Sequence, residues 1–321
     1  MHSQDISQHR RYLSGILMAG LGSVLFSGKA ILVKLAFTYN ANAETIIALR
    51  MLMALPLFWT IYWWQARRQT MSRLSLVDQV KIFILGFLGY FFSSYLDFLG
   101  LQYISVGLER IVLYLTPTIV LLISYFVLNK HITRLQWYAL IVGYLGVIVV
   151  FIQDASSTGS TALLGMGLVF ASACSYAIYM IGSGEMVKRV GSVRMVVYAS
   201  SASALLSVIQ ILFYEPLALF TQVTPIYWLS LLNAVLCTVI PMLLIMVAIN
   251  RVGSPLVAQA GILGPVSTLF MGWAVLSEPI TLLQIGGMIL VMGAMWLLVR
   301  NDASKMNSSK VASVDNADPL N

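Results

Sequence analysis

Residues 105–150 read SVGLERIVLYLTPTIVLLISYFVLNKHITRLQWYALIVGYLGVIVV, and residues 253–298 read GSPLVAQAGILGPVSTLFMGWAVLSEPITLLQIGGMILVMGAMWLL. An offset of 148 lays Pro117 on Pro265, Leu121 on Leu269, Val127 on Val275 and Leu128 on Leu276. The same offset lays Ile132, Thr133 and Gln136 on Ile280, Thr281 and Gln284. Each copy is an apolar segment with a proline about a third of the way along, a short polar turn and a second apolar segment. An internal echo of this length in an apolar chain points to duplicated membrane architecture. Proline-interrupted segments at matching places in two halves also point to a transporter's central site. Pro117 and Pro265 are therefore read as hinges, against the plainer reading of static kinks.

The whole chain supports a membrane reading. Of its 321 residues 59% are apolar and 10% charged, with a mean hydropathy of +0.87. A soluble domain carries about 25% charged residues, so a soluble fold would have almost nothing to place in water. The net charge of +7 does not indicate nucleic acid, because the basic residues fall in short loops between apolar runs. Cys174 and Cys237 sit inside apolar segments without a CxxC pattern and read as small, reduced core residues. The first apolar run is longer than a signal-peptide core and is expected to stay attached.

A spanning helix needs about 20 apolar residues, and ten segments qualify. Five are expected at 12–37, 43–64, 80–101, 105–128 and 133–152, and five at 161–183, 194–215, 226–249, 253–277 and 280–299. Fifteen of the nineteen Lys and Arg residues fall on the N-terminal segment, alternate loops and the tail, while the opposite loops have none. By the positive-inside rule both termini face the cytoplasm. Five helices per half is an odd number, so the second half enters from the opposite side. The expected fold is all-α and polytopic, with two inverted-topology repeats at 12–152 and 161–299. A cytoplasmic segment (1–11) precedes them and a disordered tail (300–321) follows. Such repeats can rock about a shared site at the midplane.

These residues resemble the EamA type of the drug/metabolite transporter superfamily over about 12–299. The most specific part is Pro265 through Leu276-Ser-Glu278-Pro-Ile-Thr281-Leu-Leu-Gln284-Ile-Gly286, which is similar to the family's fourth-to-fifth helix junction. Arg50-Met-Leu-Met-Ala resembles the family's second-helix arginine. The first copy departs by carrying Lys130 where the family usually has Glu. The resemblance implies an inner-membrane exporter of small metabolites and leaves amino acids, drugs, sugars and nucleotide sugars open as cargo.

Ionisable residues within apolar helices are functional suspects. Lys29, Lys34, Arg50, Asp97, Glu109 and Arg110 all lie in the first repeat, toward its outer half, which suggests a polar vestibule opening outward. Asp97 and Glu109 read either as a proton or ammonium site or as ion-pair partners of Arg50, Arg110 or a lysine. Arg50 reads as a structural tie, Lys34 as snorkelling, and Lys29 as the deeper candidate. Phe26, Tyr95, Tyr114, Tyr176 and Tyr179 are candidate cavity aromatics, or packing residues. Asn233 and Gln259 are cargo contacts or interhelical hydrogen bonds. Repeated glycines, including Gly146, Gly286, Gly287 and Gly293, read as close helix packing.

An enzyme is disfavoured: the three histidines lie away from the acidic residues, and neither metal-ligand spacing nor an activated nucleophile is present. No cofactor is expected. A channel would favour rings of charge from an oligomer, and a sensor or scaffold would normally add a soluble domain. The expected partners are the bilayer, a small-molecule substrate and, if transport is coupled, protons. Cargo, direction and oligomeric state stay open.

Overall fold

The computed structural model describes residues 2–67, 74–129, 132–158, 161–252, 257, 260–261 and 263–297. Gln259, Lys130 and the 300–321 tail lie outside the described residues. Ten helices are present among those described. The first five are α1 (His2–Phe37), α2 (Ala43–Ala66), α3 (Leu76–Gly100), α4 (106–128) and α5 (Arg134–Thr158). They are followed by α6 (Thr161–Val190), α7 (Ser192–Tyr214), α8 (224–252), α9 (Leu263–Leu276) and α10 (Leu282–Leu297). Eight contain apolar spans long enough to cross a membrane, and α9 and α10 are shorter apolar helices.

The conserved spacing of the sequence echo has a structural cause. Asn129 and Ser277, equivalent under the 148-residue offset, both adopt the left-handed conformation, with φ of 52° and 56°. Each ends one helix, and a capping box starts the next. Gln136 Oε1 accepts the Thr133 N–H at 2.9 Å, and Thr133 Oγ1 accepts the Gln136 N–H at 3.4 Å. Gln284 and Thr281 repeat the pair at 3.4 and 3.3 Å. Thr-x-x-Gln thus satisfies backbone donors left free at the start of each following helix.

A second matched feature carries no sequence echo. A π-helical turn occupies Phe87–Phe92 in α3 and Val235–Val239 in α8, starting at positions 148 residues apart. Each turn widens its helix within a packed interior and shifts the side chains beyond it by part of a turn.

Packing obeys the same two-fold relation. α1 lies against α8 and α9, as α6 lies against α3 and α4; α2 packs on α7, and α4 meets α9. The chain is therefore two five-helix repeats in inverted orientation. α5 and α10 meet through Gly146 and Gly287, where a Cβ on either would come within 2.7 Å of the other's carbonyl oxygen. Helix association in lipid depends on such close approach, since apolar contact is no better than contact with lipid tails. Gly286 and Gly293 face open space instead, so only part of the glycine pattern serves packing.

Gly146→Leu drives a side chain into the α10 backbone and should cost about 1–3 kcal/mol. This would appear as a lower unfolding midpoint in detergent, with Gly293→Ala leaving the midpoint unchanged.

Candidate functional site

α4 is broken where its proline falls. Val106–Leu113 ends in a turn at Tyr114–Leu115, and Thr116–Leu128 restarts with Pro117 in its first turn. Pro117 has no N–H for the carbonyl four residues earlier, Leu113, and Thr116 Oγ1 donates to that oxygen at 2.6 Å instead. α9 likewise begins with Pro265 in its first turn. The matching carbonyl, Gly261, accepts the Gly264 N–H at 2.9 Å and the hydroxyl of Ser23 on α1 at 3.2 Å. Ser27, one turn further along α1, donates to the Gly264 carbonyl at 2.9 Å.

These breaks border a cavity of about 180 Å³ between the repeats. Ala19, Ser23, Phe26 and Ser27 of α1, Arg110 and Tyr114 of α4 and Ile245 of α8 line it, together with Val257, Gly261, Gly264 and Pro265 at the start of α9. Pro265 thus lies on the cavity, while Pro117 lies three residues beyond Tyr114.

Beyond the cavity, toward the Phe37 end of α1, lies a cluster of buried charges. Lys29 Nζ donates to Asp97 Oδ2 at 2.5 Å. Arg110 Nε donates to Thr268 Oγ1 at 3.1 Å, and its Nη2 reaches the Ser27 carbonyl at 3.4 Å. Glu109 is completely buried; its Oε2 lies 3.8 Å from Arg110 Nε, too far for a hydrogen bond. Asp97 Oδ1 and both Glu109 oxygens have no hydrogen-bond donor among the described residues. Asp97 is the carboxylate that neighbours Glu109. Arg50 donates from Nη2 to Ser94 Oγ at 2.9 Å and places its guanidinium 4.9 Å from the centre of the Phe98 ring. Asn233 Nδ2 makes a long 3.5 Å contact with the Lys29 carbonyl.

The outward-opening vestibule expected from the charge pattern is not found among the described residues. A surface depression of about 490 Å³ at the Phe37 end reaches Lys34, Asn40 and Gln102 but none of the five deep charges. Ala30, Val33, Ile46, Ile47, Phe98, Leu101 and Val106 pack together and seal the way. The expectation failed because it placed charges by depth along each helix without the turn between α3 and α4, whose Leu101 and Ile104 are buried. A clamp lies over this seal. Glu278, in the α9–α10 turn, accepts the Val106 N–H at 3.1 Å and the ammonium of Lys34 at 3.2 Å. Lys34 is therefore ion-paired at this end, rather than only snorkelling.

The candidate aromatics divide. Phe26 and Tyr114 line the cavity. Tyr95 donates to Glu44 Oε1 at 3.1 Å, away from the cavity. Tyr179 is buried edge-on against Tyr90, ring centres 5.3 Å apart, with Tyr176 beside it at 5.5 Å. Ser23, Ser27 and Thr268 were not singled out from the sequence, and Glu278 was marked only as part of the family's helix junction. Ser23 and Ser27 carry a signal, since hydroxyls four residues apart share one face of a helix.

A family model for the EamA-like transporter family matches residues 13–152 and again residues 163–300. The chain belongs to that family. It is similar to Uncharacterized transporter YcbK of Bacillus subtilis (strain 168), 26% identical over 302 residues, covering 92% of this chain and 96% of that protein. It is also similar to Uncharacterized transporter YoaV of the same organism, 25% identical and covering 74% and 80% of the two chains. A solved crystal structure superposes with a TM-score of 0.63 at 17% identity, over 90% of this chain and 98% of the other, a likeness of fold. This EamA-like chain is thus a multi-pass membrane transporter, and its cavity and charge cluster lie where its two repeats meet.

Asp97→Asn would leave Lys29 buried without its counter-charge and should destabilise the transporter by about 3–5 kcal/mol. Lys29→Met with Asp97→Leu should recover most of that loss. Unfolding midpoints of Lys29→Met, Asp97→Leu and the double variant measure the coupling.

Proposed function

We propose that this EamA-like transporter exports a small metabolite across the inner membrane by alternating access. The observation that carries the reading is the pair of matched prolines, Pro117 and Pro265, each in the first turn of a helical segment, beside one small, mostly apolar cavity whose Phe37 side is sealed. Helix breaks leave backbone groups that can line a binding site, and inverted repeats can expose such a site to each side in turn. The Lys and Arg bias puts both termini and the Tyr12 end of α1 in the cytoplasm. On that assignment the cavity lies on the cytoplasmic side of the charge cluster and the Glu278 clamp closes the outside, an arrangement suited to taking up cargo from within. Asp97 and Glu109 are the candidate coupling groups. Glu109 is the stronger, being buried without a donor next to a second carboxylate, where a proton gained or lost changes its interactions most.

The test is flux in proteoliposomes, with amino acids, other organic acids, cationic drugs and sugars, each with and without a pH gradient. A pH gradient should drive one cargo class uphill. Glu109→Gln should abolish uphill movement while leaving exchange of labelled for unlabelled cargo. Uphill transport undiminished in Glu109→Gln removes that residue from the coupling, and a panel with no flux at all defeats the transporter reading for these cargoes.

A further inference from the structure

The cavity's lining limits what it can hold. At about 180 Å³ it is smaller than the roughly 300–1,000 Å³ of sites that take drug-sized molecules. Among the described residues no carboxylate lines it, so a cationic cargo finds no counter-charge on that lining. Among the described lining residues the one ionised group is Arg110, nearly buried; its hydrogen bonds go to neutral acceptors, Thr268 Oγ1 and the Ser27 carbonyl, and Glu109 Oε2 lies 3.8 Å from its Nε without a hydrogen bond. Two hydrogen bonds use two of the five donors on a guanidinium. The buried cluster also has an excess of positive charge. Lys29, Arg50 and Arg110 face Asp97 and Glu109, three cations against two carboxylates, with Asp97 already taken by Lys29.

We propose that the cargo carries a carboxylate that seats on Arg110, with its apolar body against Phe26, Tyr114 and Ile245. This rests on the transporter reading above and specifies its cargo class. The carboxylate supplies the missing negative charge and matches the planar fork of the guanidinium, which is held in place by Thr268 and Ser27. The hydroxyls of Ser23 and Ser27 lie on the same wall, within reach of a polar substituent next to the carboxylate. An amino acid and the corresponding keto acid share the chemistry that Arg110 reads.

Direct binding to the full chain in lipid nanodiscs tests this without a variant. The probes are L-leucine, L-phenylalanine, 4-methyl-2-oxopentanoate, the methyl esters of all three and isoamylamine. At least one acid should bind, with its ester about 30-fold weaker or worse, the loss expected when a buried charge is left without its partner. The keto acid binding as tightly as leucine would place recognition in the carboxylate alone; a preference for leucine would add its ammonium. Arg110→Gln should lose the acid by the same factor, and Arg110→Lys should retain part of it, because the charge stays while the fork is lost. Esters or the amine binding as well as the acids overturn the proposal, as does unchanged acid binding in Arg110→Gln. Flux of a neutral or cationic cargo with no acid bound overturns it too, while leaving the transporter reading intact.

Discussion

In the hydrocarbon core of a membrane a backbone N–H or C=O without a partner costs several kcal/mol. That constraint governs this molecule, because it interrupts its own helices in the interior. Each proline break needs a substitute donor inside the protein. Leu113 obtains one from Thr116 on its own helix, whereas Gly261 draws on Ser23 of the opposite repeat. The difference matters mechanically. The first break is satisfied within its own helix, and the second both locally, by the Gly264 N–H, and across the interface between the repeats. A hydroxyl suits that place, since it can rotate to a new acceptor when the helices move.

The charges divide the labour between the repeats in a similar way. All five deep charges belong to the first repeat, and the second supplies neutral partners: Thr268 for Arg110 and Asn233 against the Lys29 carbonyl. Lys29, Asp97, Arg50 and Phe98 join α1, α2 and α3 by ion pairing and by ring faces turned to cations. Desolvating these ions is expensive, and their pairing offsets only part of that cost. The net effect is less stability than specificity. A helix carrying Asp97 has one place to sit, opposite Lys29.

The number of spans was legible in the sequence because lipid imposes a length, and their limits less so: α1 starts at His2, before the expected 12, and α6 runs to Val190, past the expected 183. The repeat was legible where turn chemistry fixed residue types, as in Thr133 with Gln136 and Thr281 with Gln284. The π-helical turns were not, because FLGYFF and VLCTV share no residue type that geometry demands. They are matched in position by packing of the two-fold partners, not by composition. At the site, the sequence marked Arg110 as an ionisable residue in an apolar helix and Tyr114 as a candidate cavity aromatic. The spacing of Ser23 and Ser27 puts them on one helix face, but hydroxyls are common in membrane helices, and only the position of α9 makes these two lining residues. The outward vestibule was misread for a related reason: depth along a helix says nothing of which loops fold over its end.

The matched turns of the two repeats carry different chemistry in the sequence, even though the repeats are equivalent in fold. Glu278 joins α1, α4 and the α9–α10 turn by accepting from the Val106 N–H and from Lys34. A carboxylate can do this at a helix N-terminus, where free N–H groups and the helix dipole both favour negative charge. The equivalent position in the first repeat is Lys130, and an ammonium has donors but no acceptor. No lysine can form the bond that Glu278 forms. A perfectly symmetric pair of repeats would hold inward and outward states at equal energy, with no preference for either. Exchanging one acid for one base at matched turns is enough to remove that equality, and the end that is sealed is the end that has the acid.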